Sequence, residues 1–163
     1  MEWLIENMVG YLRANVNLAA WAGQDGQGDV RIYHGRAPEK RDLGGTRYVT
    51  MHTDIGGGEP WWPFGDAMNL DEIFVEFEIV DKSDGSGRAV TEGYEYLRRA
   101  LEPPNVVAIS GYTATESPSP SPEPTGKKIL GIRRLGALRG PAIDENEEWR
   151  GLVSYEVLLR TLH

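Results

Sequence analysis

The stretch Ile73-Phe74-Val75-Glu76-Phe77-Glu78-Ile79-Val80, then the turn Asp81 to Gly87, then Arg88 to Glu102 (RAVTEGYEYLRRALE), decides the fold. In its first part Ile73, Val75, Phe77 and Ile79 alternate with Phe74, Glu76, Glu78 and Val80, the period of a strand with one greasy and one polar face. In its last part Ala89, Val90, Gly93, Tyr94, Leu97, Ala100 and Leu101 recur at helical spacing. Ser86 is placed to cap that helix, Glu95 and Arg99 to pair along it, and Pro103-Pro104 ends it. A strand feeding an amphipathic helix through a glycine turn means a sheet with a helix on one face.

Toward the N-terminus, residues 1–22 read as a helix with Ile5, Met8, Val9, Leu12, Val16 and Ala19 on one stripe. Trp3 and Trp21 fall on its opposite side, where a second layer of the chain or a neighbouring subunit must cover them. Val30–His34 and Arg47–Asp54 (RYVTMHTD) read as strands, the latter with Tyr48 and Thr50 on one face and Val49 and Met51 on the other. Toward the C-terminus, Val106–Thr113, Lys128–Leu138 and Arg150–Arg160 read as three more strands. In the last, Val153, Tyr155, Val157 and Leu159 alternate with Ser154, Glu156, Leu158 and Arg160. The expectation is an α+β fold: a mixed, mostly antiparallel sheet carrying an N-terminal amphipathic helix and a second helix.

Two stretches interrupt this pattern. Residues 56–72 form a long glycine- and aromatic-rich loop that includes Trp61, Trp62 and Phe64. Residues 115–126 carry Pro118, Pro120, Pro122 and Pro124, a composition that favours an extended polyproline path. Both read as loop insertions in a single domain spanning 1–163. Loop aromatics either anchor an interface, because they bury much area for few rotatable bonds, or plug their own core.

Composition narrows the function. The chain has 163 residues, a net charge of −8 and no cysteine. Disulfides, thiolate metal sites, iron–sulfur clusters and cysteine nucleophiles are therefore excluded. The acidic balance argues against a surface that grips nucleic-acid phosphates throughout, yet suits one that lets DNA pass without sticking. No apolar run is long enough for a membrane span, and Glu2 and Glu6 stand where a secretory leader would carry a basic residue.

No catalytic motif is present. His52 and Asp54 project together from one strand, and with His34 they would make a three-ligand metal site. Gly56-Gly57-Gly58 lacks the helix and the lysine of a phosphate loop. Glu76, Glu78 and Glu156 gather carboxylates on the polar side of the sheet, where Arg133, Arg134 and Arg139 can pair with them across strands or subunits. Nothing calls for a cofactor.

The order of elements resembles a known family. A helix leads to VRIYHGRAP (30–38) and RYVTMHTD (47–54). IFVEFEIVDKSDG (73–85) then feeds a helix ending in LRRAL, followed by IRRLGALRGPAIDE (132–145) and GLVSYEVLLR (151–160). This resembles the tail terminator, or tail completion, proteins of long-tailed bacteriophages and gene transfer agents.

The resemblance implies a non-enzymatic virion protein, assembled in the host cytoplasm. It implies a hexameric ring on the head-proximal end of the tail tube. That ring stops tube polymerisation and meets the head connector while DNA passes through its lumen. Partners would be other copies of the chain, the tube protein and the connector. Trp3, Trp21, Trp61, Trp62, Phe64, Pro118, Pro120 and Pro122 are the expected interface residues. Glu76, Glu78, Glu156, Arg133 and Arg134 are the expected lumen or inter-subunit charges.

The competing readings are a head-completion stopper or head–tail joining protein, and a small metal-dependent hydrolase using His52, Asp54 and the strand glutamates. A binding module whose Ser/Pro loop docks a proline-recognition domain is a further one.

Overall fold

In the computed structural model, residues 2–54, 68–82, 86–102 and 127–162 are described. The fold is α+β. Helices α1 (Glu2–Ala14) and α2 (Val16–Ala22) precede strand β1 (Ile32–His34), the short helix α3 (Lys40–Leu43), β2 (Arg47–Asp54) and β3 (Met68–Asp81). Helix α4 (Arg88–Leu101), β4 (Lys127–Arg134), β5 (Arg139–Ile143) and β6 (Trp149–Leu162) follow. The six strands form one sheet in the order β1-β2-β3-β6-β4, with β5 also paired to β6. Among the described residues only β1 and β2 run parallel, and the other strand pairings are antiparallel.

Strands β3 and β6 are the spine. Each has 14 residues, and they pair from Met68 with Leu162 to Asp81 with Trp149. The alternation seen in the sequence becomes two faces. Ile73, Val75, Phe77 and Ile79 of β3 and Val153, Tyr155, Val157 and Leu159 of β6 are all buried against the helices. Phe77 and Tyr155 meet edge to face at 5.8 Å, a favoured aromatic geometry. From α4 the core receives Ala89, Val90, Gly93, Tyr94, Leu97, Ala100 and Leu101, the residues its spacing selects.

Several expectations need correction. The N-terminal helix is two helices, because Asn15 is extended (φ −70°, ψ 117°) and its side chain accepts the Leu18 N–H at 3.0 Å. That cap starts a new helix and resets the rotational phase. Val16 consequently stands 80% exposed while Leu4 and Leu18 are buried. The long loop is also shorter than 56–72, since Met68–Glu72 continue β3 by pairing with Leu162–Leu158. In place of a single strand over 128–138, β4 ends at Arg134 and β5 begins at Arg139, both lying along β6. The α4 N-cap is Gly87, at φ +65°, not Ser86. The expected strand Val106–Thr113 lies outside the described residues.

Trp3 and Trp21 do not project outward as interface anchors. The second layer of the same chain covers them, leaving them 4% and 6% exposed. Trp21 donates its indole N–H to the Ala89 carbonyl of α4 at 2.9 Å, and its ring occupies the space beside Gly93. A methyl group at position 93 would sit 2.6 Å from that ring, so the glycine is what lets α2 and α4 approach.

One arginine knits the N-terminal layer to the sheet edge. Arg31 donates to the carbonyls of Ala22, Gln24, Leu43 and Arg47 at 2.8–3.2 Å, tying the end of α2, the following turn, α3 and β2 together. Backbone carbonyls that would otherwise lack partners are thereby satisfied.

Candidate functional site

The face of the sheet turned away from the helices carries the expected charges. Register places Thr50 beside Glu78 and Glu78 beside Leu152; one step along, His52 lies beside Glu76 and Glu76 beside Ser154; a further step pairs Phe74 with Glu156 and Glu156 with Arg133. Strand alternation puts these side chains on one surface.

Each of the three glutamates meets an arginine of the same chain. Glu76 pairs with Arg139 at 2.5 Å and Glu156 with Arg133 at 2.5 Å. Glu78 bonds the Arg150 guanidinium, which also bonds Asp144 and, at 2.7 Å, Glu148. The Asp144 carboxylate holds the β5–β6 turn as well, accepting the backbone N–H groups of Asn146 and Glu148 at 2.8 and 3.0 Å. Arg150 therefore links the turn to β3, with three carboxylates around one cation.

Arg133 and Arg134 separate. Adjacent strand residues point to opposite faces, so Arg134 lies on the helix side, where it meets Glu102 at 3.3 Å and donates to the Tyr94 hydroxyl. Neighbouring Tyr155 is fully buried, and its hydroxyl has no hydrogen-bond partner among the described residues. Burial pushes its phenol well above the ordinary tyrosine value, with Glu102 and Tyr94 acting in the same direction.

The metal reading of His34, His52 and Asp54 meets a geometric obstacle. His34 lies in register with Met51, and its ring bonds Thr53 at 3.1 Å, on the strand side opposite to His52 and Asp54. His52 instead neighbours Thr50 at 3.3 Å and Glu78 at 3.8 Å. Among the described residues, no three His, Asp or Glu side chains are grouped to hold a metal ion. Trp61, Trp62, Phe64, Pro118, Pro120 and Pro122 lie outside the described residues.

Among the described residues, two clefts lie on the charged face. The larger, about 660 Å³, runs from Ala37 and Pro38 across Tyr48 and Thr50 to Glu78 and Arg150. The smaller, about 430 Å³, is floored by Phe74 and Ser154 and bordered by His52, Glu76 and Leu135. The sequence phrase GRAP (35–38) marks one wall of the larger cleft. The opposite wall, Glu148 and Arg150, carries no motif. Its signal was the acidic run Asp144-Glu145-Asn146-Glu147-Glu148 just before Arg150.

No described helix is long and apolar enough to cross a membrane. The sequence matches no protein-family profile and no curated protein. Its fold, however, is shared with a chain in the virion of a native gene transfer agent particle. The TM-score is 0.60 at 14% identity, covering 94% of this chain and 93% of that one.

Proposed function

We propose that this protein is a structural component of a phage-type virion, and that within it a ring of copies caps the head-proximal end of the tail tube. The observation that carries the reading is the shared fold with a chain of the gene transfer agent particle, which extends over nearly the whole of both chains. The same class of particle is implied by the sequence resemblance, which rests on residues 30–38, 47–54, 73–85, 97–101, 132–145 and 151–160. The chemistry of the exposed sheet face agrees with a structural role. Its carboxylates are engaged by Arg133, Arg139 and Arg150, so they are poised to hold surfaces together rather than to exchange protons with a substrate.

The in-chain pairing also bears on DNA passage. Glu76 and Glu156 present neutralised pairs instead of a bare acidic wall, while Glu78 shares Arg150 with Asp144 and Glu148, so phosphate repulsion in the lumen falls to that cluster and to the chain's overall charge of −8.

The test is native mass and electron microscopy of the purified protein, with and without polymerised tube protein. A ring of about 109 kDa, six copies of an 18.1 kDa chain, seated at one tube end is the expected result. A protein that binds the portal-side connector and ignores the tube would instead be a stopper. A protein that stays monomeric and binds neither would overturn the virion reading.

A further inference from the structure

The two walls of the larger cleft are held in different ways. The wall at Glu148 and Arg150 is fixed, because Arg150 bonds Glu78, Asp144 and Glu148 while the Asp144 carboxylate accepts two N–H groups of the turn. The wall across from it, Gly35 to Glu39, is held at its ends. The Gly35 N–H bonds the Met51 carbonyl at 2.9 Å, and the Glu39 carbonyl accepts the N–H groups of Asp42 and Leu43 at 2.9 and 3.0 Å. Among the described residues, no backbone hydrogen bond holds Arg36, Ala37 or Pro38 between those points. Gly35 stands at φ +79° with nothing within 4 Å of where a Cβ would lie, so that end of the wall has room to turn.

Charge is divided unevenly between the walls. On the fixed one a single guanidinium serves three carboxylates, leaving two negative charges in excess. His52 reaches Glu78 at 3.8 Å but is a cation only when protonated. Glu148 is buried, and a charge held away from water gains more from a second partner than one on an open surface. On the loose wall Arg36 is exposed and lines the same cleft, while the three carboxylates bond Arg150 instead. Glu39, at the far end of that wall, is met by Arg41 at 3.6 Å, so the charge free to act is that of Arg36.

We propose that Gly35–Glu39 is a flap that closes over the cleft and brings Arg36 to the Arg150 cluster as its second cation. Closure covers Tyr48 on the cleft floor and cancels one of the two excess negative charges on the exposed face; opening restores both. An exposed ion pair is weak, so neither form excludes the other, and salt or a competing cation shifts the balance toward the open one. The device lies within one chain and does not rest on the ring reading.

The chain has no cysteine, so a cysteine pair reports the flap directly. Ala37→Cys on the flap and Asn146→Cys on the opposite turn are combined, and the rate of disulfide formation is followed under mild oxidation. Each rate is normalised to the reaction of the matching single-cysteine variants with hydroxyethyl disulfide, which removes any effect of Arg36 on thiol reactivity. Circular dichroism and the urea midpoint confirm folding, and mass separates a bond within one chain from a bond between two.

A bond within one chain is expected, forming about threefold more slowly in Arg36→Gln, the scale of one exposed ion pair. Arg36→Lys, which keeps the charge, should restore most of the rate. Raising salt from about 0.05 to 0.5 M should slow the parent pair by a similar factor and leave the Arg36→Gln pair unchanged. No cross-link, or cross-links between chains only, would overturn the flap. A rate indifferent to Arg36→Gln, or equally sensitive to salt with and without Arg36, would overturn Arg36 as the closing charge.

Discussion

The two faces of β3 and β6 are built from the same fourteen-residue strands and do opposite work. Toward the helices, Phe77 and Tyr155 are fully buried and pack edge to face. One residue away, Glu76 and Glu78 lie on a partly exposed surface in ion pairs with Arg139 and Arg150. Burial of a large apolar side chain contributes roughly 2–3 kcal/mol, whereas a solvent-exposed ion pair contributes about 0–1 kcal/mol. The inner face thus holds the fold, and the outer face is free to carry recognition at little cost to stability.

That contrast is most sharply tested by neighbouring substitutions. Phe77→Ala should cost about 3–5 kcal/mol, since it removes a filled position that cannot collapse between two sheet neighbours and the helices. Urea unfolding would show a lowered midpoint with an unchanged slope. A loss below about 1 kcal/mol would break the idea that the inner face carries the stability.

Gly93→Ala tests the layer above. The alanine gains about 1 kcal/mol of helix propensity, but its methyl would lie 2.6 Å from the Trp21 ring, and overpacking costs about 1–3 kcal/mol. Because Trp21 is held by its bond to Ala89, the ring cannot swing away, and net destabilisation is expected. Trp fluorescence should report the displaced ring.

Alkaline titration separates the faces by chemistry. Burial raises the phenols of Tyr155 and Tyr33, the latter reinforced by its hydrogen bond to Asp25. A phenol whose folded pKa exceeds its unfolded value of about 10 binds its proton more tightly in the native state. Their contribution is therefore full below pH about 10 and is lost as pH rises above it. Tyrosinate absorbance should appear late and together with unfolding; ionisation of every tyrosine near pH 10 in the folded protein would contradict the buried placement.

The smallest effect belongs to the outer face. Glu76→Gln should change stability by less than about 1 kcal/mol, because Glu76 and Arg139 are both substantially exposed. The same variant combined with Phe77→Ala should destabilise no more than the sum of the two, if the faces act independently.

The candidate site was legible as residue types but not as partners. Glu76, Glu78 and Glu156 could be assigned to one surface because strand alternation is a local property. Which arginine each meets depends on register between strands distant in sequence: Arg133 reaches Glu156 through the β4–β6 pairing, while Arg134, its neighbour, turns to Glu102. The Arg150 cluster escaped notice for the same reason, since its partner Glu78 lies 72 residues away.

What the sequence determined by itself was whatever repeats along a single element. The β2 limits, the inward faces of β3 and β6 and the seven buried positions of α4 all follow from periodicity, which needs no knowledge of neighbours. Tertiary structure alone decided the rest. The N-terminal helix looks continuous until Asn15 caps a second one, and Trp3 and Trp21 look outward until α4 and the rest of the chain are laid against them. A helical wheel gives direction relative to one axis; whether that direction meets solvent or another layer is set by packing between segments far apart in the chain. The cleft arises in the same way, between the turn after β1 and the turn before β6, and neither stretch read alone shows that the two walls meet.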